Sequence, residues 1–240
     1  VLGVGRDEGA MLRLLDQRFD EAGQEIDLSW QGGPLRTVRL DLIGGFQAEN
    51  ALVAAGLAIA CGEEVDGVLQ TLPGLLGVRG RMEPVARRES GARVYVDYSH
   101  TPGGLESALA ALRLHTPGRL LVVFGAGGDR DPGKRPMMGA AALAADVAVV
   151  TDDNPRSEDP AAIRAEVLEG MEGMDPAPEE IGDRAEAILT AIEGMGPQDR
   201  LLIAGKGHER GQIVGDLTLP FDDAETARAV VAALDGEEGP

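Results

Sequence analysis

The sequence has very little of three things that mark common functional classes: cysteine, aromatic residues and positive charge. The single cysteine, Cys61, cannot form an internal disulfide, and with only three histidines it excludes a Cys/His zinc cluster. Aromatic residues make up 3% of the chain, so a packed core must consist mostly of aliphatic side chains. A formal net charge of -19 argues against nucleic-acid binding, which needs a basic surface. Cys61 lies in an apolar stretch and is expected to be a small core residue.

Two further absences concern membranes and export. No run of about 18 apolar residues occurs, which argues against a transmembrane helix. The chain also lacks a basic segment followed by an apolar one, the pattern of a secretory signal. These features favour a soluble, cytoplasmic protein that binds neither nucleic acid nor a membrane, and we expect a monomer. The opening from Val1 does not resemble the start of a domain, so a piece of a longer protein is expected.

The apolar pattern predicts two domains, residues 1–78 and residues 79–240, with a junction rich in glycine at 72–80. Alternating apolar residues and an Ala- and Leu-rich stretch characterise the first domain. They predict one β-hairpin and two helices, over 26–42, 46–60 and 65–70.

The second domain alternates predicted strands with predicted helices. Three short, continuous apolar runs are typical of strands buried on both faces of a parallel sheet, at 120–124, 147–150 and 201–204. A hairpin over 82–98 precedes them, and Thr101, Asp159 and Asp222 are predicted to begin helices. The alternation predicts a Rossmann-like, doubly wound α/β domain. Residues 235–240 are expected to be disordered.

Three unusual loops follow the predicted parallel strands. Because the carboxyl ends of such strands meet at one edge of the sheet, we expect these loops to surround a ligand. They occur at 125–135, 152–156 and 205–209. They bring five cations to that edge: Arg130, Lys134, Arg135, Arg156 and Lys206. Arginine pairs with a carboxylate through two parallel hydrogen bonds, while Asp153, Asn154 and Glu209 could hold an ammonium group, so an amino acid fits the cluster.

Each loop also has a simpler interpretation. Glycine-rich turns after strands often exist only to let a helix pack closely, and Asp-Asn-Pro is a common turn. Two nucleotide-binding patterns fail in the first loop. Arg130 stands where a dinucleotide fingerprint needs its third glycine, and Arg135 stands where a phosphate-binding loop needs serine or threonine.

Five motifs occur in an order and spacing that resemble the Mur ligases, which build the peptide of the bacterial cell wall. They are GRME at 80–83, VDYSHTP at 96–102, FGAGGDRD at 124–131, DNPRSEDP at 153–160 and AGKGHE at 204–209. The resemblance is to the branch that adds meso-diaminopimelate. It implies that residues 79–240 are the complete C-terminal domain, and that residues 1–78 are the last part of the central ATP-binding α/β domain.

The resemblance also implies roles for individual residues. Asn50 matches an asparagine that faces adenine, although Gln47 stands where the family usually has asparagine. Arg81 matches an arginine that reaches the ATP phosphates, and Asp97 an aspartate on the ribose. The implied diaminopimelate pocket consists of Arg130, Asp153, Asn154, Pro155, Arg156, Gly205 and Glu209. Lysine-adding relatives tend to lack an arginine at the position of Arg156, because the amino group of lysine would be repelled by it.

The implied reaction uses ATP and Mg²⁺ to convert the terminal carboxylate of UDP-MurNAc-L-Ala-D-Glu to an acyl phosphate, which the amine of diaminopimelate attacks to form an amide. The family's phosphate-binding loop, magnesium ligands and carboxylated lysine are not found in this sequence. No catalytic residue is therefore assigned, and the chain alone is expected to be inactive. Two alternatives stay open: another acceptor, as in lysine-adding ligases or folylpolyglutamate synthetases, and a stand-alone amino-acid-binding module.

Overall fold

The computed structural model describes residues 1–236. The chain separates into two compact units that divide between Gly77 and Val78, one residue before the predicted boundary. Each unit has a hydrophobic cluster of its own. None of the helices in the described range has the length and apolar character needed to span a bilayer.

The first unit consists of a four-stranded sheet with helices. Its elements are β1 (Val4–Gly5), β2 (Leu12–Asp20), β3 (Gly23–Trp30), β4 (Arg36–Leu40), α1 (Phe46–Ala60), α2 (Val65–Thr71) and a 3₁₀ turn (Leu72–Gly74). The strands are ordered β1-β2-β3-β4, with β1 parallel to β2 and the others antiparallel. The predicted hairpin is confirmed: Ile26 lies opposite Val38, and Gln31 and Gly32 turn the chain with φ angles of 49° and 70°.

The core of this unit lies between the sheet and α1. Leu12, Leu28 and Leu40 on the strands are fully buried and cluster with Ala48 and Leu52 on the helix. Burying a leucine side chain contributes roughly 1.5–3 kcal/mol, so these buried contacts hold α1 against the sheet. Both predicted helices of the unit are confirmed.

Cys61 and the end of the chain differ from the expectations. Cys61 is exposed, not in the core, because it caps the C-terminus of α1 beyond the last buried residue of that helix. The expected disorder from residue 235 onwards is wrong for Asp235 and Gly236. Asp235 ends the last helix and accepts hydrogen bonds from Arg88 Nε (2.6 Å) and the Glu89 amide (2.8 Å). Residues 237–240 lie outside the described residues.

The second unit is built around a six-stranded sheet. Its elements are β5 (Glu83–Arg87), β6 (Arg93–Asp97), α3 (Pro102–Arg113), β7 (Leu120–Phe124), α4 (Lys134–Ala142), β8 (Val147–Val150), α5 (Pro160–Glu169), β9 (Glu179–Glu180), α6 (Arg184–Glu193), β10 (Arg200–Ala204), β11 (Gly211–Val214), β12 (Leu217–Pro220) and α7 (Asp223–Asp235). The strand order is β5-β6-β10-β7-β8-β9, parallel except for β5, and β11 and β12 form a separate hairpin.

Local sequence explains where three of the helices begin. Thr101, Asp159 and Asp222 each accept a hydrogen bond from a backbone amide in the first helical turn, as predicted. Such a cap satisfies an amide that has no partner within the helix, and it is typically worth about 1 kcal/mol. Proline follows two of these caps, at Pro102 and Pro160, where its fixed φ suits the helix and its missing N–H costs nothing.

Helices cover both faces of the large sheet. Leu121, Val123, Leu201 and Ile203 cluster with residues of α6 and α7 on one side. Alternate residues such as Val122 point the other way and are equally buried, and α3, α4 and α5 pack in a row. The predicted doubly wound fold is confirmed. Since β10 lies between β6 and β7, the carboxyl ends of β6, β10, β7 and β8 are neighbours.

Candidate functional site

A cavity of about 370 Å³ lies at the carboxyl ends of β6, β10, β7 and β8. The loops that follow these strands and the first turns of α4 form its walls. Six of the seven residues predicted for the diaminopimelate pocket line it: Arg130, Asp153, Asn154, Arg156, Gly205 and Glu209. The seventh, Pro155, is buried and does not line the cavity.

Arg156 stands in the wall of this cavity in an unusual backbone conformation. Its φ is 53°, in the left-handed region, which costs a non-glycine residue of order 1–3 kcal/mol unless its surroundings hold it there. Two backbone bonds do so: the Arg156 amide donates to the Ile213 carbonyl (3.1 Å), and the Gly215 amide donates to the Arg156 carbonyl (2.7 Å). The local strain is therefore offset by the β11–β12 hairpin.

The guanidinium of Arg156 is only partly engaged by the protein. Its Nη1 donates to the Gly128 carbonyl (2.7 Å) and, more weakly, to the Asn154 carbonyl (3.4 Å). Nε and Nη2 form no hydrogen bond with any residue in the range 1–236. These two parallel donors can bind a carboxylate bidentately.

Arg130 and Lys134 add positive charge on the exposed side of the cavity. Arg130 Nη1 donates to the Asp129 carbonyl (3.0 Å), and Lys134 forms no ion pair with a described residue. Asp129 ties this loop to the next one because it accepts hydrogen bonds from the Ser157 hydroxyl (2.6 Å) and the Ser157 amide (3.3 Å). These bonds lower the pKa of Asp129, so its carboxylate stays ionised and keeps the two loops connected.

Two of the five predicted cations are not available to a ligand, and Arg135 is the first. Its side chain is buried and paired with Glu158 (2.8 Å) and Glu166 (3.0 Å). Burial acts to lower the pKa of Arg135, but these two carboxylates outweigh it and leave the pKa raised. Arg135 therefore fixes α4 and the loop after β8 instead of offering a free charge.

Lys206 is the second. Its side chain is fully buried, and Nζ donates to Asn154 Oδ1 (2.8 Å), the Gly211 carbonyl (3.1 Å) and Asp153 Oδ1 (3.4 Å). Burial lowers the pKa of Lys206, and nearby Arg184 lowers it further. Arg135 lines the cavity but its charge is engaged, so the cations that remain for a ligand are Arg130, Lys134 and Arg156.

The cavity also presents negative charge. Asp153 is nearly buried, with one oxygen directed to Lys206, and Glu209 is half-buried and accepts a hydrogen bond from Asn154 Nδ2 (3.2 Å). Gly205, with φ of 116°, makes this approach possible, because a Cβ there would lie 2.4 Å from Asp153 Oδ2. The site therefore has guanidinium donors and carboxylate acceptors in one cavity, which suits a zwitterion.

Four lining residues lie outside the three loops that the sequence singled out. Tyr98, His100 and Thr101 follow β6, and Met138 lies on α4. The signal for the first three was present, since their motif follows a predicted strand at the same sheet edge. Met138 carried no such signal because it reads as an ordinary core residue of a helix.

The residues expected to bind ATP lie in both units. Arg81 places its guanidinium carbon 5.0 Å from the centroid of the Tyr98 ring. Asp97, buried at the end of β6, accepts hydrogen bonds from the Met82 amide (2.7 Å) and from the Ser99 hydroxyl. Asp97 thus fixes the turn that carries Arg81, and its ribose contact stays a prediction.

Asn50 is an exposed residue of α1 in the first unit. Its Nδ2 donates to Gln47 Oε1 (3.3 Å), so the two residues named for adenine contact are at least neighbours. Its contact with adenine also stays a prediction. Within residues 1–236 no group of three or more His, Cys, Asp or Glu side chains is arranged to hold a metal ion, and no magnesium ligand is assigned among them.

Comparison with known proteins identifies close relatives. The chain is 53% identical over 232 residues to the UDP-N-acetylmuramoyl-L-alanyl-D-glutamate–2,6-diaminopimelate ligase of Caulobacter vibrioides, a match that covers 96% of this chain and 46% of that protein. The protein of the same name from Zymomonas mobilis is 52% identical over 230 residues, covering 94% and 46%. The chain spans about half the length of the curated relatives it matches.

Solved structures and a family model agree with these relatives. The structure of a UDP-N-acetylmuramoyl-L-alanyl-D-glutamate–2,6-diaminopimelate ligase aligns with a TM-score of 0.73 at 37% identity, covering 95% of this chain and 46% of that one. UDP-N-acetylmuramate-alanine ligase MurC from Thermotoga maritima shares the fold, with a TM-score of 0.69 at 17% identity and coverage of 97% and 47%. The family model described as "Mur ligase, glutamate ligase domain" matches residues 80–207, more than half of the chain. Members of that family are ATP-dependent ligases, and the chain belongs to it.

Proposed function

We propose that this chain supplies the amino-acid pocket of an ATP-dependent ligase that adds meso-diaminopimelate to UDP-MurNAc-L-Ala-D-Glu, in the cytoplasm, during peptidoglycan synthesis. The observation that carries the proposal is the cavity in which unused guanidinium donors of Arg156 occur together with the carboxylates of Asp153 and Glu209. The similarity to diaminopimelate ligases supports the same acceptor.

The chemistry of the acceptor matches this charge pattern. One end of meso-diaminopimelate supplies the amine that forms the new amide, and its distal end carries both a carboxylate and an ammonium group. Arg156, with Arg130 nearby, pairs with the distal carboxylate, and Asp153 and Glu209 accept hydrogen bonds from the ammonium. A hydrogen bond to a charged group contributes about 1.5–3 kcal/mol, so losing the carboxylate partner weakens binding strongly.

The other residues of the proposed pocket act mainly through shape. Gly205 leaves room for the carboxylate of Asp153, and Asn154 connects Glu209 to the loop after β8. Pro155 lies between two pocket residues and fixes the backbone φ at that point. These roles do not require Pro155 to touch the ligand.

ATP contacts are proposed separately for Asn50 in the first unit and for Arg81 and Asp97 in the second, and residues 1–78 are proposed to be part of an ATP-binding domain. The ligase would activate the terminal carboxylate of the nucleotide-sugar dipeptide as an acyl phosphate, which the bound amine then displaces. Magnesium is implied for the whole ligase by the family resemblance, and none of the described residues is proposed as its ligand.

Another acceptor remains the main alternative. The folylpolyglutamate synthase of Mycobacterium tuberculosis shares the fold, with a TM-score of 0.64 at 21% identity, so fold alone does not separate these ligases. Arg156 separates diaminopimelate from lysine on physical grounds. A lysine acceptor has a distal ammonium but no distal carboxylate, so it would leave Arg156 unpaired beside a like charge.

The test is calorimetric titration of the chain with meso-diaminopimelate and with L-lysine. We expect binding of diaminopimelate, a dissociation constant at least about tenfold larger for Arg156→Ala, and no comparable binding of lysine. Arg113→Ala is the matched control, because Arg113 is also a half-buried arginine but pairs with Asp146 (2.7 Å) at the far end of α3.

Each outcome separates the candidates. Preferential binding of lysine would overturn the acceptor while keeping the ligase family. Equal loss of affinity in both arginine variants would mean that Arg156 acts through stability, not through ligand contact. A chain that binds diaminopimelate but whose longer parent forms no amide would favour a stand-alone binding module.

A further inference from the structure

Lysine is rare in this chain, and its two copies lie in opposite environments. The chain has twenty arginines but only Lys134 and Lys206. Lys134 is exposed, whereas the side chain of Lys206 has no exposed surface. A buried ammonium is costly unless each of its protons finds an acceptor, so the environment of Lys206 needs an explanation.

Three acceptors match the three protons of this ammonium. They are Asp153 Oδ1 (3.4 Å), Asn154 Oδ1 (2.8 Å) and the Gly211 carbonyl (3.1 Å). The first two belong to the loop after β8, and the third is the first residue of β11. Lys206 therefore joins two separate segments of the second unit.

Asn154 extends this connection. Its Oδ1 accepts a second hydrogen bond from the Ile213 amide in β11 (2.9 Å), and its Nδ2 donates to Glu209 (3.2 Å). The backbone of Arg156 is held by the same hairpin through Ile213 and Gly215. The segment 153–156, Glu209 and the β11–β12 hairpin thus form one bonded assembly with Lys206 at its buried side.

A second buried ion pair supports the assembly from the side of the helices. Arg184 and Asp223 are both fully buried and joined by two hydrogen bonds, of 2.7 and 2.8 Å. Arg184 also donates to the Ala204 carbonyl (2.9 Å), two residues before Lys206. Burial lowers the pKa of Lys206, and Arg184 lowers it further, while the carboxylates of Asp153, Asp223 and Glu209 act to raise it. Replacing the ammonium by an apolar group would therefore leave Asp153 without its buried cation.

We propose that Lys206 is a positioning residue, whose ammonium locks the segment 153–156 to the β11–β12 hairpin and so sets the geometry in which Arg156 and Glu209 meet the amino acid. The ligand in this statement rests on the proposed function. The lock itself rests only on the contacts of Lys206, and the two can be tested separately.

The test compares Lys206→Met with Arg113→Met. Both variants replace a cation by an unbranched apolar side chain, and Arg113 lies far from the cavity along α3. Amide hydrogen exchange measured by NMR reports how firmly the segment 153–156 is attached to the β11–β12 hairpin. Titration with meso-diaminopimelate reports the affinity of the pocket. In Lys206→Met we expect exchange at Ile213 and Gly215 to rise at least about tenfold, and the dissociation constant to rise at least about tenfold, while β6 amides keep their protection.

Chemical rescue then distinguishes the ammonium from the space it fills. Lys206→Cys is made in a Cys61→Ser background, so that position 206 carries the only thiol. Alkylation with 2-bromoethylamine in denaturant, followed by refolding, gives a side chain that ends in an ammonium at nearly the length of lysine. We expect it to restore amide protection and affinity, whereas the unmodified thiol does not.

The outcomes decide the two proposals independently. If the wild-type chain does not bind diaminopimelate but Lys206→Met still frees the Ile213 and Gly215 amides, the ligand assignment fails and the lock stands. If Lys206→Met keeps both affinity and protection, the lock is wrong. A loss of protection that is equal at Ile213 and throughout β6 would also overturn it, because Lys206 would then stabilise the whole unit without a specific role at the pocket.

Discussion

Gly205 occupies a position where neither the backbone nor the neighbouring side chain tolerates a Cβ. Its φ is 116°, and a Cβ would lie 2.4 Å from Asp153 Oδ2. We expect Gly205→Ala to lower the free energy of unfolding of the second unit by about 1–3 kcal/mol, because alanine, unlike glycine, is strained at this φ angle. Because Asp153 must also move, affinity for diaminopimelate should fall. Urea denaturation and calorimetry measure the two effects.

Gly103 provides the matched control for this substitution. It lies in the first turn of α3, where nothing stands within 4 Å of a Cβ and no left-handed φ is required. Gly103→Ala should be neutral or stabilise the chain by up to about 1 kcal/mol, since alanine has the higher helix propensity. Equal effects of the two alanines would contradict the role of Gly205.

The sequence predicted which charges gather at the site but not which of them are buried. Arg135 pairs with Glu158 and Glu166, which are 23 and 31 positions away, and Lys206 reaches Asp153 at a separation of 53. Pairings over such distances depend on the packed fold, so a list of loop cations could not reveal them. The position of Cys61 was misjudged for a related reason: an apolar neighbourhood does not say where a helix ends and leaves the core.

At the scale of secondary-structure elements, Asp199 fixes the amino-terminal edge of the large sheet. Just before β10, it accepts hydrogen bonds from the amides of Gly196 and Arg119, each 2.8 Å long, and from the Arg119 guanidinium. Burial acts to raise the pKa of Asp199, but these hydrogen bonds outweigh it and hold the pKa below its usual value. The ionised carboxylate thereby ties β10 to the start of β7.

A lowered carboxyl pKa makes this tie dependent on pH. The contribution of the Asp199 carboxylate to the free energy of unfolding is complete above its pKa in the unfolded chain, near 3.8. That contribution is lost as the pH falls through the lower pKa of Asp199 in the folded chain. We expect Asp199→Asn to cost about 1–3 kcal/mol at pH 7, and the difference from wild type to shrink below pH 4. Urea denaturation between pH 7 and pH 2 measures this, with the exposed Glu172→Gln as a control. A difference that is constant with pH would show that ionisation of Asp199 does not matter.

Elements with one clear periodicity were predicted well. The apolar runs became β7, β8 and most of β10, and the capping residues Thr101, Asp159 and Asp222 begin helices. Strand β2 could not be predicted because a bulge between Leu14 and Asp16 shifts its alternation by one residue. The β11–β12 hairpin has mostly exposed or half-buried residues and so gives no apolar pattern, although it holds the backbone of Arg156.

At the scale of the whole chain, the candidate pocket is contained in the second unit. The rule that ligands bind at the carboxyl ends of parallel strands placed three distant loops together, and six of seven predicted residues line one cavity. The part that could not be predicted is the supporting structure behind it, namely the buried pairs of Lys206 and Arg184. Charge type and loop position can be inferred from a sequence. Which buried groups pair with one another depends on the folded chain and cannot be inferred in the same way.

The proposed acceptor pocket is not sufficient for ligation. Phosphoryl transfer from ATP depends on a phosphate-binding loop and metal ions that offset the developing charge. The only loop with similar glycine spacing has Arg135 at the position of the metal-binding hydroxyl, and that side chain is buried in ion pairs. Residues 1–236 also contain no metal-binding cluster.

We therefore expect no amide product when the 240-residue chain is incubated with ATP, Mg²⁺, UDP-MurNAc-L-Ala-D-Glu and diaminopimelate. A full-length relative such as the Caulobacter vibrioides ligase serves as the positive control, and product from the chain alone would contradict this view.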